Sequence, residues 1–294
     1  MKLQNQITNA LSKNPTSAPV AGQESTTIGF HSPPTLPPLT ILVFAVACGL
    51  SVSNVYYAQP LLDAIASDFK ISHAAIGLVV TFTQIGYGLG LLLVVPLGDL
   101  LDRRRLILGQ LWLSALALIM VGSAPTATVF MAGMMAVGLL AVVVQVLVAF
   151  AATLATPAER GHVVGVVTSG VVIGILLART VAGVLADLAG WRSVYFVTAT
   201  LMLLMGGILF WVLPHHENAD RPANYGQLLR SMLSLFVQEP LVRVRAGLAF
   251  FIFASFSILW TSMVLPLSAP PLSLSHTEIG LWALSYSYSV QGVW

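Results

Sequence analysis

With 57% hydrophobic residues and only 8% charged ones over 294 positions, against about 25% charged in an ordinary soluble domain, this chain cannot have water as its main solvent. Its formal charge of +2 is too small and too dispersed for nucleic-acid binding, which calls for a basic stripe or patch. The single cysteine, Cys48, excludes an intrachain disulfide and a cysteine metal cluster, and its apolar surroundings make it a packing residue.

Residues 1–38 are polar and rich in Ser, Thr, Asn and Pro, with Pro33, Pro34, Pro37 and Pro38 just ahead of the first apolar run. They predict a disordered tail. The layout of a cleaved signal peptide is missing, so the first apolar run is expected to remain as a membrane helix. A spanning helix needs about 20 mostly apolar residues whose backbone groups pair within the helix itself. Residues 39–58, 74–97 and 106–158 are nearly free of charge, the last run divided in two by Gly122, Ser123 and Pro125, and so predict four helices. Residues 163–186, interrupted only by Arg179, predict a fifth. Residues 193–213 predict a sixth, ended by Pro214 and the polar His215, His216 and Glu217. Residues 39–213 thus make one six-helix bundle.

Residues 214–245 mix charges with Leu228, Leu229, Leu233 and Phe236, the pattern of a linker whose amphipathic helix lies on the membrane surface. Residues 246–294 open a second bundle: 246–267 predict a seventh helix. An eighth begins at Ile279 and meets the chain end after about 16 residues, short of the ~20 a span needs. The expected class is an all-α membrane protein, a six-helix amino-terminal bundle plus the first one to two helices of a second half.

Positive residues are retained on the cytoplasmic side of a membrane. With the amino terminus inside, the inner segments hold Lys2, Lys13, Arg103, Arg104, Arg105, Arg160, Arg221, Arg230, Arg243 and Arg245, and the outer ones only Lys70 and Arg192. The expected placement is a multi-pass protein of the inner (plasma) membrane with a cytoplasmic amino terminus.

Between the second and third helices runs Gly98-Asp99-Leu100-Leu101-Asp102-Arg103-Arg104-Arg105. It resembles the loop motif of the major facilitator superfamily, Gly-x-x-x-Asp-Arg followed by more basic residues. Gly98, Asp102 and Arg103 match it, and two residues, one of them a second glycine, are missing before Arg104 and Arg105. Gly98 is expected to let two helices approach closely, and Asp102 to pair with arginine and face a helix amino terminus. In the family this loop acts as a gate against the second half. The fifth helix carries Gly165, Gly174, Ala178-Arg179, Ala182-Gly183 and Leu185-Ala186-Asp187, similar to the family's antiporter motif, with Ala178-Arg179 where the motif has Gly-Pro. Gly165, Gly174 and Gly183 are expected to serve helix packing. Gly183-x-x-x-Asp187 repeats the spacing of Gly98-x-x-x-Asp102 three helices later, on the opposite membrane side, which fits inverted three-helix repeats. Asn54 to Leu62 also looks like the start of superfamily exporters of sugars or drugs. The resemblance implies twelve helices in two halves, so a chain of seven helices and part of an eighth is expected to be a truncated form.

Arg179 is the one strongly ionised side chain within a span, costly there unless it faces a cavity or a partner. It is the leading substrate-binding candidate, attracting an anionic group or pairing with an acid, against the alternative of snorkelling to the outer interface. Asn54, Tyr57, Gln84, Tyr87 and Gln145 are the polar residues that the resembled fold would place around its cavity. Such a lining suits an amphipathic or sugar-like solute, although each residue alone could simply hydrogen-bond across helices.

The expected function is secondary active export of a small solute by rocking of two halves, with a proton as the candidate exchanged ion. No Gly-rich phosphate loop ending in Lys-Ser or Lys-Thr occurs, and neither cofactor nor metal is expected. A membrane-embedded enzyme would need paired acids, a Ser-His pair or metal ligands within its spans; no catalytic residue is assigned. The expected partners are the solute and the lipid bilayer, not nucleic acid, with the oligomeric state open. A second reading is a remnant of a transporter that no longer transports.

Overall fold

The computed structural model describes residues 36–214 and 224–268. The amino-terminal tail, His215 and His216 and the eighth helix lie outside them. Among the described residues all regular structure is helical.

Helix α1 (Pro38–Tyr56) starts on a proline, whose fixed backbone suits a first turn. It does not stop at Ala58: a 3-10 turn, Gln59–Leu61, carries it past Pro60 into α2 (Leu62–Phe69), which closes on Lys70 in the left-handed conformation. Ser72 then caps α3 (His73–Ile76), accepting from the Ala75 amide at 3.2 Å. Helix α4 (Leu78–Leu93) breaks ahead of Pro96, which has no amide to donate, and resumes as α5 (Leu97–Leu100). Helix α6 (Arg103–Gly122) begins three residues earlier than its apolar run because Asp102 caps it, accepting from the Arg104 and Arg105 amides at 2.8 and 3.4 Å. Thr126 caps α7 (Ala127–Ala141), which is offset at Val142 from α8 (Val143–Leu154).

Helix α9 (Arg160–Ala189) is one unbroken run of 30 residues, consistent with arginine where a proline would have interrupted it. Gly190, at φ 80°, turns the chain into α10 (Trp191–Val212), a conformation glycine adopts without steric cost. Asn224 caps α11 (Tyr225–Gln238), and α12 (Pro240–Ser268) follows. It starts six residues before the expected seventh helix, with Arg243 and Arg245 inside it.

Among the described residues six runs are long and apolar enough to cross a membrane: Pro38–Phe69, Leu78–Leu100, Arg103–Gly122, Ala127–Leu154, Arg160–Ala189 and Trp191–Val212. Their outward faces carry Trp112, Leu188, Leu204 and Trp211, all exposed, a surface that only hydrocarbon solvates without penalty.

The bundle is assembled pairwise: α1 lies along α9, α4 along α7, and α6 along α10. Glycines bring the first two pairs into backbone contact. A methyl on Gly170 would sit 2.7 Å from the Ala45 carbonyl carbon, and one on Gly174 2.6 Å from Cα of Gly49. In the other pair a methyl on Gly86 would sit 2.9 Å from the Met135 carbonyl carbon, and one on Gly90 would overlap the Leu139 carbonyl. Each pair therefore has two glycines one helical turn apart facing two carbonyls one turn apart. Exchanging the first span with the fourth and the second with the fifth converts one crossing into the other, as inverted repeats require. Ser53 closes the first crossing, its buried hydroxyl directed at the carbonyl oxygens of Gly49, 2.7 Å away, and Gly174, 2.8 Å away. The expected packing role of Gly165 is not needed, since a methyl there would meet nothing within 4 Å; the close approach occurs about one and a half and two and a half turns further along, at Gly170 and Gly174. Gly183 is buried.

Candidate functional site

The first, second, fourth and fifth spans enclose a cavity of about 590 Å³ whose remaining wall is α12. The first span's wall is Val52, Val55 and Tyr56 of α1 and Gln59 of the 3-10 turn that continues it, residues at i, i+3, i+4 and i+7 that share one face. Gln84 and Tyr87 come from α4, Gln145 from α8 and Arg179 from α9, while Ala246, Ala249, Phe250 and Phe253 face them from α12.

Arg179 is buried, only 2% exposed, and does not run out to the membrane surface. Its Nη2 donates to Gln59 Oε1 at 2.8 Å, and its guanidinium carbon stands 5.8 Å from the centre of the Tyr56 ring. The 3-10 turn that extends the first span delivers Gln59 to this position. Across the cavity Gln145 Nε2 donates to the Tyr87 hydroxyl at 2.9 Å. The step at Val142 between α7 and α8, where the Gln145 amide bonds back to the Val142 carbonyl, sets the register of Gln145.

The structure thus gathers four of the candidate residues, Gln84, Tyr87, Gln145 and Arg179. Asn54 and Tyr57 are placed elsewhere. Asn54 is buried inside the bundle, and Tyr57 borders an apolar groove between α1 and α9 with Gly49, Ser53, Gly174 and Ala178. The reason is register: rotation along α1 turns Tyr56 toward the cavity and Tyr57 away from it. Tyr56 and Gln59 were missed. The recurrence of Val52, Val55, Tyr56 and Gln59 on one face would have found them.

At one end of the bundle the loop residues act as ties. Arg103 donates from Nε to the Gly98 carbonyl at 3.1 Å, from Nη1 to Thr153 Oγ1 at 3.2 Å and from Nη2 to Asp99 Oδ1 at 3.3 Å, so it joins the ends of the second, third and fourth spans. Arg104 reaches the sixth span, donating to the Phe210 carbonyl and standing 5.1 Å over the Phe210 ring. Arg105 is exposed. The close helix approach expected of Gly98 is not required there: a methyl would sit 3.7 Å from Val146 and 3.8 Å from Leu106, ordinary contact. At the other end Arg192 pairs with Asp68 and donates to the Ala124 carbonyl at 3.0 Å. Phe69, Phe130, Trp191 and Tyr195 meet beside it in tilted and edge-to-face pairs 5.5 to 6.0 Å apart, each such pair adding about 0.5–1.5 kcal/mol beyond its buried area.

Residues 39–293 match the family model of the Major Facilitator Superfamily. The chain belongs to this superfamily. It is therefore a multi-pass member of a transporter family and not of an enzyme family. It is 48% identical over 246 residues to the uncharacterized transporter YgaY of Escherichia coli O157:H7, covering 84% of this chain and 62% of YgaY. It is 28% identical over 201 residues to the multidrug resistance protein Stp of Mycobacterium tuberculosis H37Rv, covering 65% of this chain and 37% of Stp. An inward-facing, occupied crystal structure of a bacterial homologue of the human lysosomal transporter Spinster superposes with a TM-score of 0.65 over 82% of this chain and 56% of that one. At 15% identity that likeness speaks for the fold alone. The chain spans less than two thirds of the length of these relatives.

Proposed function

We propose that this superfamily member forms the solute-binding half of a secondary transporter that exports a small amphipathic solute of drug or sugar size, in exchange for protons. The carrying observation is the convergence of Arg179, Gln59, Gln84, Tyr87 and Gln145 from four spans on one cavity walled by aromatic rings. A cavity of about 590 Å³ lies within the 300–1,000 Å³ of small-molecule sites. In this reading Arg179 takes an anionic or strongly accepting group of the solute, Gln59 holds the guanidinium in place, and Tyr56 and Phe250 flank the apolar body.

The gate follows from the ties at the loop end. With the loop on the cytoplasmic side, Asp99, Arg103 and Arg104 would hold the spans of the first half together as a block that rocks against the second. Export is supported by the likeness to exporters at Asn54 to Leu62 and by the name of the relative Stp. The residues 39–213 then act as the first bundle, 214–245 as the linker and 246–294 as the start of the second.

The test is solute accumulation in everted membrane vesicles holding this chain, its Arg179→Ala variant or YgaY, across a panel of drugs and sugars with and without a proton gradient. Gradient-dependent accumulation by this chain that Arg179→Ala abolishes is the expected result. Accumulation by YgaY alone, with this chain fully inserted, would favour the reading as a transporter remnant.

A further inference from the structure

A second cavity, of about 730 Å³, lies away from the solute site. It opens where the second span breaks before Pro96 and is walled by Leu97 and Leu101 on one side and by the third span on the other. The third span and its cap line it with Asp102, Arg105 and Gly109, three or four residues apart and so along one helical face, and with Gln110, which borders that face. Arg105, at the open end, is exposed. Gln110, deeper in, is 3% exposed, and neither its amide oxygen nor its amide nitrogen has a hydrogen-bond partner among the described residues. An amide buried in an apolar wall without a partner carries a desolvation cost, and a ligand that supplies the missing bonds removes it. A methyl on Gly109 would meet nothing within 4 Å, so the space between the two polar residues is open.

From this arrangement we infer that the groove binds one diacyl glycerophospholipid from the membrane leaflet at the Arg105 end. Arg105 takes the phosphate, Gln110 Nε2 donates to an ester carbonyl, and the leucine walls take the first part of an acyl chain. Arg105 and Gln110 are five residues apart, about 7.5 Å along the axis and about 140° around it, and both line the groove, so a ligand that reaches both must bridge an exposed cation and a buried amide. Charge and polarity thus fall in the order in which such a lipid presents them: anion, carbonyl, hydrocarbon. The groove sits beside the Gly98–Arg105 loop, so the lipid would rest against the ties made by Arg103.

The experiment is native mass spectrometry of the full chain in detergent, titrated with dioleoyl phosphatidylglycerol and, in a parallel arm, with glycerol 3-phosphate. Wild type and Arg160→Ala, a basic residue at the same end but outside the groove, should show one saturable lipid adduct. Arg105→Ala should weaken it about tenfold, the loss of one charge-assisted hydrogen bond, and Gln110→Leu severalfold. Gly109→Leu should abolish it by filling the groove, with a melting temperature no lower than wild type. The inference is overturned by a saturable adduct unchanged in both Gly109→Leu and Gln110→Leu, by the absence of any saturable adduct in wild type, or by equal loss in Arg160→Ala. Displacement of the lipid by glycerol 3-phosphate at equal concentration would also overturn it, by assigning the site to a free phosphate ester.

Discussion

Replacing Gly170 by alanine tests the claim that bare backbone joins the first and fifth spans. The added methyl would lie 2.7 Å from the Ala45 carbonyl carbon and 2.8 Å from its Cα, distances that real methyl groups do not occupy. Backbone cannot rotate away as a side chain can, so the helices must separate along the whole crossing, and Ser53 loses its reach to the Gly174 carbonyl. Overpacking of this kind costs about 1–3 kcal/mol or more. Alanine is also the better helix former by about 1 kcal/mol, so the net loss should be up to about 2 kcal/mol. Gly88 is the control: a methyl there would meet nothing within 4 Å, and Gly88→Ala should stabilise by up to about 1 kcal/mol. The assay is the melting temperature of the purified protein in one detergent, followed by loss of the monodisperse peak on size exclusion. Because the second crossing is the counterpart of the first, Gly86→Ala should fall with Gly170→Ala. The reasoning fails if Gly170→Ala melts at or above Gly88→Ala, or if the two crossings respond with opposite signs.

Arg179→Met should abolish solute accumulation in vesicles, and because it leaves Gln59 Oε1 without its donor it should also lower stability by about 1–3 kcal/mol on the melting assay. Asp102→Ala removes a cap that accepts from two amides and should lower stability by about 1 kcal/mol, with Asp102→Asn close to wild type on the same melting assay. Tyr87→Phe and Gln145→Leu each leave one partner of a 2.9 Å bond unmade; each alone should cost about 1–3 kcal/mol, and the double variant less than their sum, as a thermal double-mutant cycle would show. Tyr225 donates its hydroxyl to the Leu93 carbonyl at 2.7 Å, so Tyr225→Phe should speed hydrogen exchange in Tyr225–Gln238 without changing it in Arg160–Ala189.

The six spans could be read from the sequence because each is a long stretch without charge, and hydrocarbon tolerates little else. Their ends were less legible. The first span outlasts Ala58 because Pro60 is accommodated in a 3-10 turn, and the third starts at Arg103 because a cap outweighs the polarity of three arginines. The cavity was half legible. Gln84, Tyr87, Gln145 and Arg179 stood out as polar residues within apolar runs, yet Asn54 and Tyr57 stood out equally and face other helices. Polarity names candidates; only the rotation of the helix about its axis, set here by glycine contacts on the opposite face, decides which of them meet. Gly165 and Gly98 show the same limit, since nothing in their spacing tells that a methyl would fit. The wall from α12 could not be foreseen, because Phe250 and Phe253 look like any lipid-facing aromatics.

That wall changes what occupancy of the cavity would mean. Helix α12 is exposed over most of its described surface and meets the bundle where Ala246, Ala249, Phe250 and Phe253 border the cavity. A solute held by Arg179 and pressed against those rings would act as mortar between two pieces that share little other contact. Its binding free energy would appear as adhesion of α12, so the first sign of a ligand should be slower hydrogen exchange in that helix, ahead of any rearrangement within the six spans.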